Sequence, residues 1–337
     1  MYKYPSIGQF RNAVQSVRYH AQFIGKDANG DPIYDETLKA PTLEYEGTIK
    51  THGTNAAIVI DYTGDEVVSS YQSRSQVITP EKDNCGFAKW CLERDLAQTL
   101  DFSQSFPTCP VVKIYGEFCG KGIQKGTAVS ELNKMFIIFS IQVGDVVWAN
   151  SKIFFNKFSL PELNTYTVYD FQTYKMNIDF NKPEESTNKM VDLVQEVERE
   201  CPVGRKLGVS GIGEGIVWKC ITEDWDDEPR FWFKTKGEKH QSSKTKTLVP
   251  VDVERLDSIK ELAKTFVTES RLNQGMETMT FDRKNLGSFL GWISQDIIKE
   301  ESDTISQNGF AVKEVCNEAV KMAREWFFQK EKEKIGV

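Results

Sequence analysis

The sequence predicts an α+β fold, with mainly antiparallel sheets over its first two-thirds and a small all-helical region at its end. Three observations lead there. Short β-branched and aromatic runs, separated by turn residues, recur through the first part of the chain. They do not alternate with helices in βαβ order, so a parallel sheet is not called for. Past about residue 250 the apolar spacing changes from the strand period to the helical one.

The predicted strands are TLEYEGTIK (42–50), AAIVIDY (56–62), VVKIYGEF (111–118), KMFIIFSIQV (134–143), DVVWAN (145–150), GIVWKCI (215–221) and RFWFKTK (230–236). Two helices fit among them, over 84–98 and 187–199. In the tail, Leu256, Ile259, Leu262, Ala263 and Phe266 fall at helical spacing. So do Leu286, Phe289, Leu290, Ile293, Ile297 and Ile298, and a third set from Val312 to Phe327. GEKHQSSKTKTLVP (237–250) reads as the linker, which predicts two domains, 1–248 and 249–337.

The 337 residues are 39% hydrophobic with a formal net charge of -7. The acidic balance is not the footprint of a general nucleic-acid binder. One strip departs from it: residues 230–246 carry Arg230, Lys234, Lys236, Lys239, Lys244 and Lys246 against Glu238 alone. A concentrated cationic strip in an acidic chain points to a local anionic ligand. Phe231, Trp232 and Phe233 interleave its first charges, so a strand is expected there. Seven cysteines, at 85, 91, 109, 119, 201, 220 and 316, contain no CxxC pair. That argues against a zinc cluster or disulfide framework and predicts a reducing, cytoplasmic setting. MYKYPSIGQFRNAVQ has no apolar stretch of signal-peptide length, and no run is long enough to span a membrane. With no coiled-coil seam, a monomer is expected.

Two phosphate motifs fail on inspection. GEFCGKG (116–122) is one residue short of a P-loop and lacks the Ser/Thr after lysine. GIGEGI (211–216) lacks the last glycine of the dinucleotide fingerprint. KTHGTN (50–55) holds more. An amine with a reference pKa near ~10.4 becomes a nucleophile only when burial or neighbouring cations strip its proton. Lys219, Lys234 and Lys236 supply such cations if they share a pocket with Lys50. Strand alternation puts Lys234 and Lys236 on one face, where they repel unless an anion lies between them. Gly53 is expected to let a bulky ligand approach the backbone, with His52 and Asn55 donating to phosphate.

KTHGTN, YGEFCGKGIQKG (115–126), EGIVWK (214–219) and KTK (234–236), in that order, resemble the motifs of the covalent nucleotidyltransferases. KxHGxN with YGEFxGxGIQ is similar to the RNA ligase 2 family, the bacteriophage-type ATP-dependent nick-sealing RNA ligases of RNA repair. The tail NLGSFLGWISQDIIKEE (285–301) resembles that family's C-terminal domain. The resemblance implies an ATP-grasp-like nucleotidyltransferase domain that uses ATP and Mg2+ (or Mn2+) to join RNA 3′-OH and 5′-phosphate ends through lysyl-AMP and adenylylated RNA. It places the nucleophile at Lys50, AMP transfer at His52, the ribose at Glu117, adenine at Phe139 and the metal at Glu214. Asn55 and Arg74 fall to nucleotide contact, Lys219, Lys234 and Lys236 to both nucleotide contact and catalysis, and Arg271, Asp296 and Glu300 to support from the tail. Asp296 and Glu300 are spaced to share a helical face. Ile49 stands where the family often has an acidic residue, and Phe139-Ser140 where Phe-Asp is common. The implied partner is duplex RNA with a nick or bridged ends. A DNA ligase or capping-type guanylyltransferase is the alternative, opposed by a helical tail where those enzymes usually carry an OB barrel. A catalytically silent RNA-binding protein is another, opposed by the intact lysine set.

Overall fold

A computed structural model describes residues 1–64, 66–83, 85–100, 110–144, 147–149, 152–226, 228–240, 251–276, 279 and 281–335. Cys109, Lys244, Lys246, most of the predicted linker and the ends of DVVWAN lie outside the described residues. Two compact units emerge, one of Met1–Val17 with Thr42–Val249, the other of Arg18–Pro41 with Pro250–Val337.

In chain order the strands are β1 (Gly8–Gln9), β2 (Phe23–Lys26), β3 (Pro32–Tyr34), β4 (Thr42–Lys50), β5 (Thr54–Asp61), β6 (Val68–Ser73), β7 (Val77–Ile78), β8 (Val111–Cys119), β9 (Met135–Val143), β10 (Val147–Ala149), β11 (Thr165–Thr167), β12 (Thr173–Asp179), β13 (Gly215–Cys220) and β14 (Phe233–Lys236). In the first unit, one sheet has the order β1-β14-β13-β4-β12 and a second runs β10-β9-β8-β5-β6-β7, with β11 beside β9. Pairing is antiparallel except for β1 with β14 and β11 with β9. β4 belongs to the first sheet and β5 to the second, so three residues, Thr51–Gly53, carry the chain from one to the other.

β5 and β9 are apolar runs rather than alternating ones, and both are buried almost throughout. Such strands are covered on both faces. Phe87 and Trp90 of the helix Phe87–Leu92 cover one face of the second sheet, packing on Phe118 with ring centroids 5.1 and 5.2 Å apart. Truncating a ring buried in such a cluster costs about 3–5 kcal/mol.

Three predicted elements need correction. The helix expected over 84–98 is two short ones, Phe87–Leu92 and Leu96–Thr99, because Asp95 takes a left-handed φ of 47°. RFWFKTK is a strand only from Phe233; Pro229–Phe231 is a 3-10 turn, as a proline with no N–H favours. The tail holds four helices among the described residues rather than three: Val253–Phe266, Glu269–Met276, Leu286–Gln307 and Val312–Ile335. The extra one is eight residues long and contains Gly275, too short to show a period.

In the second unit these helices enclose Ile259, Phe266, Phe289, Ile293, Val315 and Phe327. Asp252 caps the first, its carboxylate accepting from the Arg255 N–H at 2.8 Å. The β2–β3 hairpin and the segment after it join this unit: Lys332 bonds Asp35 and Thr37, and Arg324 pairs with Glu36 at 3.7 Å. Residues 29–41, which look like an insertion in the sequence, are thus fastened to the last helix.

Candidate active site

Lys50 is the final residue of β4. Register sets Gly215 opposite Lys50 and Lys236 opposite Gly215, so the two lysines flank a residue without a side chain. Glu214, just before Gly215, reaches both. Its carboxylate accepts from Lys50 Nζ at 2.8 Å and from Lys236 Nζ at 2.6 Å, and His52 Nδ1 lies 3.5 Å away. Glu214 is 3% exposed. Burial alone would raise its carboxyl, but Lys50 and Lys236 outweigh that and hold it below the ordinary range. Lys234 shares the face of β14 with Lys236, as strand alternation predicts. Burial first, then Lys236, Lys50 and Arg74, push its amine below the usual lysine value. The anion that lets these cations converge is Glu214.

The turn Thr51–Gly53 rests on β8. A Cβ on Gly53 would lie 2.3 Å from the Phe118 carbonyl oxygen and 2.8 Å from Cys119 Cβ. Glycine is needed there for the approach of one protein segment to another, which corrects the expected role of admitting a ligand. The Gly53 N–H donates to Glu117 Oε1 at 3.0 Å. Burial raises the Glu117 carboxyl to about 7, against the pull of Lys50 and with Glu214 adding to the rise. Asn55 is its cross-strand neighbour. Asn55 and Arg74 line a cavity of about 220 Å³ together with Ser73, Ser75 and Asp83, and Arg74 Nη2 donates to Ser6 Oγ at 3.2 Å.

Lys219 stands apart from this cluster. It faces Glu46 across the strands, and its Nζ donates to the Phe139 carbonyl at 2.8 Å and lies 4.8 Å from the Trp232 ring. Burial lowers its amine to about 7, with Glu46 opposing. Phe139 is half-buried against Tyr4, ring centroids 4.9 Å apart. Ser140 is fully buried, and Ile49 is 4% exposed. Sequence reasoning missed Glu46 and Tyr4. Glu46 is four residues ahead of Lys50 and became visible only through the β4–β13 register; Tyr4 lies in a segment with no strand or helix signal.

Residues 43–236 match the family model described as RNA ligase, which covers more than half of the chain. The chain belongs to the RNA ligase family. No curated protein matches it. Among solved structures, it is similar to a Naegleria gruberi RNA ligase with PPi at 14% identity and a TM-score of 0.42, covering 71% of this chain and 57% of that one. A lysine-to-alanine mutant of that ligase with ATP and Mn gives 14% identity and a TM-score of 0.43, over 70% of this chain and 56% of that one. A lysine-to-methionine mutant with AMP and Mn gives 14% and 0.42, over 71% and 57%. The chain thus spans less than two-thirds of the length of these proteins.

In this member of the RNA ligase family the candidate residues of the tail form a separate cluster. Arg271 Nε donates to Asp296 Oδ2 and Nη2 to Glu301 Oε1, both at 2.8 Å, while Nη1 donates to the Phe266 carbonyl at 2.7 Å. The partner of Asp296 in this clamp is Glu301, not Glu300. Glu300 is exposed and paired with its neighbour Lys299. No group of three or more His, Cys, Asp or Glu is placed to hold a metal among the described residues. The six described cysteines are free, and no described helix is long and apolar enough to cross a membrane.

Proposed function

We propose that the chain is an ATP-dependent RNA ligase that joins 3′-OH and 5′-phosphate ends, sealing nicks in duplex RNA, with Lys50 as the nucleophile. The observation that carries this reading is the convergence of Lys50, Glu214, Lys236 and Lys234 where the chain crosses between the sheets. In the first step the Lys50 amine attacks the ATP α-phosphorus and the bond to pyrophosphate breaks. The RNA 5′-phosphate then takes the AMP from Lys50. Finally the 3′-OH attacks the activated 5′-phosphorus and AMP leaves. Such in-line transfers depend on positioning and on charge stabilisation.

The attacking amine must first lose a proton and leave its ion pair with Glu214, which accepts from Lys50 Nζ at 2.8 Å in the ligand-free arrangement. Lys234 and Lys236 neutralise the phosphates. Glu117 and Asn55 take the ribose and adjoining phosphate, Phe139 the adenine, Arg74 a phosphate, and His52 assists AMP transfer. The fit of a divalent ion rests on Glu214 alone, so Mg2+ or Mn2+ would be held by this carboxylate with substrate phosphates and water, as is usual for Mg2+. The ion would supply charge neutralisation on the phosphoryl oxygens. Nucleotidyl transfer belongs to the unit containing Lys50 and a supporting role to the helical unit. Duplex RNA would be held by phosphates and 2′-OH groups, with little sequence preference.

The test is to incubate the protein, stripped of bound AMP with pyrophosphate, with Mg2+ and ATP labelled on the α-phosphate, then denature it. Label on the wild type and none on Lys50→Ala is expected; on a nicked RNA duplex the label then leaves the protein and ends as free AMP while the strand is sealed. Label from GTP alone would mean a capping-type enzyme, and none from either nucleotide would sink the ligase reading. Labelled protein that seals single-stranded ends but not nicks would overturn the duplex substrate.

A further inference from the structure

The loop after β8 is a motif that the nucleotide chemistry leaves without a task. It is not a P-loop: residues 128–131 after it form a 3-10 turn, not a helix whose N-terminus could hold phosphate. Its base is well tied. The Lys121 N–H donates to the Leu132 carbonyl at 2.9 Å, the Ile123 N–H to the Gly120 carbonyl at 3.2 Å, and the Ala128 N–H to the Ile212 carbonyl at 2.9 Å. Ile123 packs against the core of the second sheet. Gly120, Gly122 and Gly126 take φ of 122°, 82° and 87°, a region that favours glycine. At Gly122 and Gly126 an added Cβ would meet nothing within 4 Å, so the backbone there stands in open solvent.

Lys121, Gln124 and Lys125 are exposed on this loop. Neither lysine has an ion-pair partner among the described residues. From Phe118 to Ser130 there is no acidic residue, in a chain of net charge -7. The same base carries the nucleophile turn, since Gly53 rests on Phe118 and Cys119. A tied loop, with two ammonium groups that have no ion-pair partner among the described residues, therefore leaves the strand end on which the turn after Lys50 rests. Because its base is already ordered, it gives up little conformational freedom when a ligand binds. Two lysines four residues apart on an exposed loop match a repeating anion better than a single phosphate, which needs convergent donors.

We propose that the loop 120–126 is a clamp for the polynucleotide backbone, in which Lys121 and Lys125 neutralise two phosphates of the strand whose end lies at Lys50. This rests on the RNA ligase reading. The clamp acts in the steps that contain RNA and has no part in charging Lys50 with AMP.

The test is the double variant Lys121→Ala/Lys125→Ala beside Lys121→Arg/Lys125→Arg and the wild type. Affinity for a 5′-phosphorylated nicked RNA duplex is measured without ATP between 50 and 200 mM salt, and labelling by ATP is measured without RNA. Each phosphate contact contributes about 0.9 to the slope of log affinity against log salt. Two lost contacts should make the alanine variant's slope shallower by about 1.8 and weaken binding at 0.1 M salt roughly 60-fold. Labelling should match the wild type, and the arginine variant should keep the slope. An alanine variant with the wild-type slope and affinity overturns the clamp while leaving the ligase reading intact. Equal loss of labelling and RNA binding also overturns it, in favour of a structural role. A wild type that takes label but neither binds nor seals RNA defeats the RNA reading itself.

Discussion

Glu117→Gln should stabilise the ligand-free protein at pH 8 and leave it almost unchanged at pH 4. Burial raises the Glu117 carboxyl from 4.5 to about 7, Lys50 pulls it down, Glu214 adds to the rise, and the Gly53 N–H and Lys236 pull it down again. Between those two pH values the native state binds more protons than the unfolded one, so stability falls as pH climbs through the window and is flat above it. The full span corresponds to about 3 kcal/mol. Part of the side chain is open to solvent, which screens the cost and brings the expected gain to roughly 1–3 kcal/mol. Urea unfolding of both proteins at several pH values from 4 to 8 measures it, because the two differ in one titrating group and groups remote from residue 117 cancel in the difference. Parallel profiles, or a glutamine variant less stable at pH 8, would refute the claim that the cleft holds this carboxylate at a cost.

Lys219 should behave oppositely: its buried amine titrates at about 7, so the native state binds fewer protons than the unfolded one above that pH and stability rises. Lys219→Met should be more stable at pH 7 by roughly 1–3 kcal/mol, with the gain shrinking by pH 9 in thermal melts. Gly53→Ala must displace the turn from the Phe118 carbonyl; we expect about 1–3 kcal/mol of destabilisation and at least a tenfold slower labelling of Lys50, with an unchanged rate counting against the turn as its support. In the helical unit, Arg271→Ala leaves two largely buried carboxylates unpaired and should cost about 2 kcal/mol in urea unfolding. Glu301→Gln should destabilise in the same assay and Glu300→Gln should not; the reverse order would refute the clamp geometry.

Much of the fold was legible because its signals are local. TLEYEGTIK coincides with β4 residue for residue, and the runs at 111–118 and 134–143 differ from β8 and β9 by one residue. The helix Phe10–Gln22 was overlooked although Phe10, Ala13 and Val17, which it buries, fall at the i, i+3, i+7 spacing of one helical face. Asp95 broke a helix through a backbone angle that no residue pattern announces. In the site, the lysines were legible as chemistry, but the grouping was not. Lys219 was expected beside Lys50 and instead reaches the Phe139 carbonyl.

The sequence by itself determined the strand-rich first unit, the helical tail, the shared face of Lys234 and Lys236, and the motifs of a family to which the chain belongs. These follow from side-chain period and from short ordered motifs, properties of residues a few positions apart. Only the tertiary structure decided that Glu214, 164 positions from Lys50, joins it to Lys236, that Gly53 serves β8, and that Glu301 rather than Glu300 holds Arg271. It also grouped residues 18–41 with the helical unit. Those pairings depend on strand register and helix packing, where a shift of one residue turns a side chain to another face and exchanges its partner.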